Sequence, residues 1–384
     1  MLSTSYIELS KKALKSNLQF VKNRLQPGVK LCSIIKGNAY GHGIELFVPL
    51  AEKCGVRRFG VFSADEAFRT SKVQQKKSHI MIMGMIDEAA LEWAIENDIE
   101  FFVFDLGRLE KSIQIARQMD KKARIHVELE TGMNRTGFEK KLIPQVVETI
   151  QENASFLKLM GICTHLAGAE SIANYYRVKK QRELFHKIKR PFQNLSIKPH
   201  FYHMASSAAT MRYPKAQLDM VRVGILQYGF FPSQEIRIES FQKIKKDPNP
   251  LQRILSWKSS VMSLKTVKKG SFIGYGNAFL ASEDMRIASV PVGYFHGFSR
   301  SLSNKGRVLI HGHPANVVGT VNMNMMLVDV SHLVGVKPGD EVVLIGNQDE
   351  SELSVTSFAG QTGEQMNYEL LTRLPENIPR QITA

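Results

Sequence analysis

Cysteine is scarce in this sequence: Cys32, Cys54 and Cys163 are the only three, and no short pairing interval separates them. An odd, sparse set argues against a disulfide scaffold and fits a reducing compartment. There is no CxxC pair and no Cys/His cluster at zinc spacing, so no metal is expected. No stretch of about 18 uninterrupted apolar residues occurs, which excludes a helix that spans a membrane. The first ten residues, MLSTSYIELS, lack the basic patch and apolar run of a signal peptide, and the expectation is a soluble, cytoplasmic protein. A GxGxxG turn after a strand, a repeat of solenoid period and low-complexity segments are also missing. Acidic residues are the minority, 36 against 51 basic, for a net charge of +15 and a pI near 9.6. The excess is scattered in short clusters such as Lys121-Lys122, Lys179-Lys180 and Lys268-Lys269. These read as solvated helix faces and loop rims; no nucleic-acid motif accompanies them, so no nucleic-acid partner is expected.

What is present is enough chain, 384 residues, for a large core and more than one domain. Over the first two-thirds, short apolar runs rich in β-formers alternate with amphipathic stretches. The runs are KLCSII (30–35), RFGVF (58–62), HIMIMGM (79–85), IEFFVF (99–104), ARIHVEL (123–129), LKLMGICTH (157–165), KPHFYHM (198–204) and MVRVGIL (220–226). Helical periodicity falls between them, at 63–73, 88–96, 106–118 and 143–151. Strands alternating with helices imply a parallel sheet, and eight such units close a (β/α)8 barrel. After about Ser240 the texture changes. A lysine-rich stretch with two prolines, FQKIKKDPNP, reads as a linker, and short runs broken by Gly, Pro and Asn follow it. The fold class is therefore α/β: an N-terminal (β/α)8 TIM-like barrel over 8–240, then a mainly antiparallel β domain over 241–384 with one late helix near 357–372. Residues 1–7 are left to pack with the second domain.

The chemistry-bearing residues fall at the carboxyl ends of the barrel strands, where such barrels keep their active sites. Lys36 closes the first strand in IIKGNAYGHG, whose glycines make a tight turn with backbone amides available to a ligand. A lysine at a strand end is, taken alone, an ordinary surface lysine. Here it stands within KGNAYGHG and is followed, in order, by ETGMNRTGF (130–138), THLAGAE (164–170), HMASSAATM (203–211) and MVRVGILQYG (220–229). The second domain adds IGYGNAF (273–279), PVGYFHGFSR (291–300) and VNMNMMLVDV (321–330). Together these blocks resemble, over nearly the whole chain, the alanine racemase family of pyridoxal-5′-phosphate enzymes.

The resemblance implies a cofactor, pyridoxal 5′-phosphate, bonded covalently to Lys36. It implies a racemase that interconverts L- and D-alanine by two-base proton transfer at Cα, an activity that supplies D-alanine to bacterial cell-wall precursors. Removing a proton from one face and returning it on the other requires an acid–base group on each side. By resemblance these are Lys36 and the tyrosine at 275, the latter contributed across a homodimer whose subunits share their active sites. Arg222 matches the arginine set against the pyridine nitrogen, and a permanently charged guanidinium disfavours protonation of that ring. The phosphate is assigned to Tyr40, Ser207, Gly224 and Ile225, and the ring face to His165. Substrate contacts are assigned to Arg135 and to the backbone amide of Met323. The expected substrate is a small amino acid, with no membrane partner.

Four positions depart from the family pattern. Glu128 stands where many members carry a carbamylated lysine, and supplies a carboxylate without carbon dioxide chemistry. Asn324 and His296 replace common aspartates, and Glu376 aligns with a phosphate-contacting tyrosine, with Tyr368 nearby. These changes leave open a racemase of another amino acid, such as serine or lysine. A related decarboxylase, a PLP-carrying homeostasis protein of single-barrel type and a basic nucleic-acid-binding protein are the remaining readings. The racemase-like blocks after position 270 speak against the decarboxylase, the second domain with Tyr275 against the single barrel, and the lack of a nucleic-acid motif against the last.

Overall fold

The computed structural model describes residues 3–242, 250–355 and 367–384. The expected linker falls largely on 243–249, and most of the expected late helix on 356–366, outside the described residues. Of that helix, Asn367–Thr372 is described.

Eight strands form one wholly parallel sheet: β2 (Lys30–Ile34), β3 (Arg58–Val61), β4 (His79–Ile82), β5 (Glu100–Val103), β6 (Ala123–Glu128), β7 (Leu157–Cys163), β8 (Phe201–His203) and β9 (Met220–Val223). Their order is β8-β7-β6-β5-β4-β3-β2-β9, sequential except that β9 returns to pair with β2 through Cys32 opposite Arg222. The two end strands meet as well. Asp219 N–H donates to the Tyr202 carbonyl (3.1 Å) and Arg222 N–H to that of Ala205 (2.9 Å), which brings the sheet into a barrel. β5 and β9 are buried at every residue, as strands covered on both faces must be.

The connecting helices begin and pack for local reasons. Asp87 and Asp105 cap Glu88–Glu96 and Leu106–Gln118, each accepting a backbone N–H at 2.8 Å. In Ile143–Glu152 the spacing of Ile143, Val146 and Ile150 makes one buried stripe. The elements match the alternation read from the sequence.

A second, ten-stranded sheet is antiparallel except at one edge. It contains β1 (Ser5–Ser10), β10 (Leu255–Ser260), β11 (Ser263–Val267), β12 (Met285–Val290), β13 (Arg307–Ile310), β14 (His313–Val318), β15 (Met326–Asp329), β16 (Glu341–Gln348), β17 (Ser351–Leu353) and β18 (Arg380–Thr383). β1 runs antiparallel to β10, with Ile7 opposite Trp257, and parallel to β18, with Ile7 opposite Arg380. Trp257 and Phe298 are fully buried in this part of the core, ring centroids 6.5 Å apart. By compactness the chain divides into one unit of residues 13–37 and 47–252 and another of 1–12, 38–46 and 253–384. No helix among the described residues is long and apolar enough to cross a membrane.

Candidate active site

The turn that follows β2 is left-handed. From Gly37 to Gly41, φ is +63, +53, +55, +53 and +79°, through Asn38, Ala39 and Tyr40. Each non-glycine residue in that conformation costs about 1–2 kcal/mol, so something must hold it. Asn38 does part of this, its Oδ1 accepting Ile44 N–H at 3.0 Å and its carbonyl accepting Gly43 N–H at 2.9 Å. Arg380 donates to the Gly41 carbonyl (2.9 Å), and the fully buried His42 donates from Nδ1 to the carbonyls of Ala39 and Tyr40, both at 3.0 Å. Gly41 has no substitute here. A Cβ would stand 1.8 Å from the Leu371 carbonyl oxygen, at a φ that L-residues rarely adopt.

Lys36 enters this turn from the end of β2, and its chain neighbour Ile35 is bonded to Gly60 of β3 (2.8 Å). The side chain is exposed at the barrel mouth, yet the mouth is crowded enough for desolvation to be the largest cause lowering its pKa. The Arg135 guanidinium lowers it further, and Glu66 opposes both. A lysine that loses its proton more readily is a better amine nucleophile.

Around it the structure gathers residues from four other strand ends. His165, just after β7, is pushed down to about 3 by burial and then by Arg222, Arg135 and Lys36, so it is a neutral imidazole. Arg222 is 6 % exposed. It donates from Nη2 to the Thr164 carbonyl (2.8 Å), lies 3.4 Å from Nδ1 of His165, and donates from Nη1 to Nδ1 of His203. Ser207 Oγ accepts the N–H of Gly224 (3.0 Å), which joins the turns after β8 and β9; Ile225 follows in a short 3-10 turn. Glu128, at the end of β6, accepts from Thr136 Oγ1 (2.7 Å) and reaches Arg135 only at 4.0 Å. The ion pair is thus long, and Arg135 is half exposed.

The remaining sequence-assigned residues belong to the other compact unit. Tyr40 is in the left-handed turn. Tyr275 is 73 % exposed, on a hairpin tip closed by Ile273 N–H to the Phe279 carbonyl (2.9 Å) and flanked by Gly274 and Gly276, both at positive φ. Met323 is exposed, and its carbonyl accepts Phe295 N–H at 2.9 Å. Asn324 is exposed beside it. His296 accepts Gly293 N–H at Nδ1 (3.2 Å) and meets Thr4 Oγ1 at Nε2 (3.2 Å). Glu376 is exposed, with its carbonyl accepting from Arg380 (3.0 Å); the Tyr368 side chain lies outside the described residues. Among the described residues no group of histidine, cysteine and carboxylate side chains could hold a metal.

With this geometry in view, the chain matches the family models "Alanine racemase, N-terminal domain" over residues 9–232 and "Alanine racemase, C-terminal domain" over 254–382. The chain belongs to the alanine racemase family. The alanine racemase of Leptospira interrogans (serogroup Icterohaemorrhagiae, serovar copenhageni) is 34% identical over 377 residues, 98% of this chain and 95% of that protein. The solved alanine racemase of Clostridium difficile 630 superposes with a TM-score of 0.89 at 30% identity, covering 100% of this chain and 96% of that one. The alanine racemase of Bartonella henselae, solved with covalently bound pyridoxal phosphate, shares the fold at a TM-score of 0.83 and 24% identity, with all of both chains covered. As a member of that family the chain is an enzyme, an amino-acid racemase.

Reading the sequence missed Glu66, Glu100, His126 and His203. The signal was there for the last three: each is a polar residue set in a strand-like apolar run. Buried histidines make the fold sensitive to acid. His42 titrates at about 4 because burial disfavours its charged form, while in the unfolded chain it titrates near 6.5. The unfolded state therefore binds its proton first. Stability is fully present above pH 6.5 and falls as the pH drops toward 4, by about 3 kcal/mol from this group alone. His126, His165 and His203 act with the same sign. Urea unfolding followed from pH 7 to pH 4 is expected to show a midpoint that falls below pH 6.5; a flat or rising midpoint would contradict this.

Proposed function

We propose that this chain interconverts L- and D-alanine with pyridoxal 5′-phosphate, and that two subunits complete each active site. The observation that carries the proposal is the mouth of the barrel. Lys36, with its depressed pKa, shares one electrostatic field with Arg135 and His165, and Arg222 is locked beside them. These residues fit the cofactor by their donor chemistry: an amine able to bond an aldehyde, a donor-only guanidinium for the ring nitrogen, and a hydroxyl with backbone amides at Ser207, Gly224 and Ile225 for the phosphate. Tyr40 adds a phenolic hydroxyl for the phosphate, and neutral His165 packs on the ring. When bound, the cofactor withdraws electrons from the substrate and acidifies its Cα–H.

In this reading Lys36 Nζ takes or returns the proton on one face. The hydroxyl of Tyr275 of the partner subunit does so on the other. Support for a homodimer comes from the exposure of Tyr275 together with that of Phe272, Leu280, Tyr294, Phe295 and Met323 in the same unit. Arg135 and the backbone amide of Met323 of the partner subunit hold the substrate carboxylate. The three cysteines form no disulfide with one another, which supports a reducing, cytoplasmic setting.

Purified protein incubated with pyridoxal phosphate and a panel of L-amino acids, then resolved chirally, should yield D-alanine fastest. Fastest turnover of serine or lysine would move the specificity to Asn324 and His296. No D-product from any substrate would overturn the proposal. Glu128 is proposed to hold Arg135 through a permanent carboxylate. At 4.0 Å to a half-exposed partner such a pair is worth about 1 kcal/mol. Glu128→Gln should therefore lower kcat/KM for alanine about fivefold; unchanged cofactor affinity and turnover would remove that role.

A further inference from the structure

Inside the barrel, below the mouth, the bond from Arg222 to His203 is the first of a series. His203 Nε2 lies 3.0 Å from His126 Nδ1, and His126 Nε2 lies 2.9 Å from Glu100 Oε2. Glu100 in turn accepts from Arg58 Nη1 at 3.1 Å on both oxygens, and lies 3.1 Å from His79 Nδ1. Glu100, His126 and His203 are each 0 % exposed. Glu100, Arg58 and His79 are the first residues of β5, β3 and β4, while Arg222 is near the end of β9. The series therefore runs from the amino-terminal rim of the barrel to the carboxyl-terminal mouth.

The ends determine what lies between them. A guanidinium only donates, so His203 Nδ1 must be the acceptor and its hydrogen must sit on Nε2. That hydrogen points at His126 Nδ1, which must also accept, so the hydrogen of His126 sits on Nε2 as well. It points at Glu100, and an ionised carboxylate only accepts. Donor-only and acceptor-only ends thus leave one consistent set of tautomers, both imidazoles neutral and every hydrogen directed away from Arg222. Burial and the nearby cations hold both imidazoles below their ordinary pKa, and the hydrogen bonds from His126 and His79 hold the Glu100 carboxyl well below its own.

The backbone makes room for this arrangement. Gly161 of β7 faces the two rings: a Cβ there would stand 2.3 Å from His126 Nδ1 and 3.0 Å from His203 Nε2. Pairing of β6 with β7 shifts register between Ile125 and His126, opposite Gly161. Phe102 walls the pair, 5.9 and 6.0 Å from the two imidazole centroids. A buried polar series is costly unless every member is satisfied, and here both ring nitrogens of His126 and of His203 are.

We propose that Glu100, His126 and His203 are positioning residues that act through Arg222, keeping its guanidinium oriented and its Nη1 committed so that it meets the cofactor ring as a fixed donor. This rests on the cofactor reading above, but its first test does not. Nitrogen NMR of histidine-labelled wild-type protein should show two imidazoles that stay neutral and protonated on Nε2 between pH 6 and 8, both perturbed by Gly161→Ala. Either ring protonated on Nδ1, or titrating in that range, overturns the proposal whether or not pyridoxal phosphate binds.

The second test separates direction from shape. Glu100→Gln keeps the size but can donate as well as accept, while Glu100→Asp is shorter but remains acceptor-only. Partners that orient metal ligands from the outer shell typically contribute about 10–100-fold, and the same order is expected for partners that orient a guanidinium. Glu100→Gln should lower kcat at least tenfold, leave KM within about twofold and change the absorbance spectrum of bound pyridoxal phosphate. Glu100→Asp should retain more activity and the wild-type spectrum. If Gln matches the wild type, or Asp is worse than Gln in both readouts, the proposal fails while the racemase reading stands.

Discussion

Arg222 occupies the seam where the parallel sheet closes, and the architecture of the mouth depends on how it is held. Its backbone pairs with Cys32 of β2 on one side and bonds to Ala205 beyond β8 on the other. Its side chain is fixed by the Thr164 carbonyl and by His203. A buried guanidinium cannot lose its proton, so the fold has to surround it with acceptors. Doing so ties β7, β8 and β9 together at one height, and at that height stand His165, Ser207 and Gly224. Desolvation lowers the pKa of Arg222, while Glu128 is among the groups that restore it.

In the turn that follows β2 the constraint is conformational. Five successive residues at positive φ carry the chain away from Lys36, and Asn38, His42 and Arg380 hold them through hydrogen bonds. The strain is local to the residue expected to bond the cofactor, which is where stored backbone strain is commonly found. The mouth of the barrel is itself rich in positive charge. Lys36, Arg135 and Arg222 face Glu66 and Glu128, and the balance keeps the lysine amine easier to deprotonate and His165 neutral.

Much of this was legible from the sequence because it is local. All eight barrel strands appear as apolar runs, and Lys36, His165, Ser207 and Gly224 stand at their ends, since strand boundaries and turns are written in neighbouring residues. What spans long separations was not. That β1 pairs with both β10 and β18 cannot be read from SYIELS, whose alternation suits any half-buried strand. The series from Arg222 to Glu100 needs residues from β5, β6, β8 and β9 to converge, and each alone reads as one polar residue in an apolar strand. The left-handed sense of the turn was likewise hidden: its glycines suggested tightness, but Ala39 and Tyr40 at positive φ contradict their own preferences and are held there by the buried His42 ring, with Arg380, distant in sequence, fixing the Gly41 carbonyl.

That the mouth of the barrel is a pyridoxal phosphate site built on Lys36 is tested most directly by chemical trapping. Purified protein given the cofactor, reduced with borohydride and digested, should carry the pyridoxyl group on the peptide containing Lys36 alone. The mark on another lysine, or on none, would contradict the assignment on which the proposed racemisation rests.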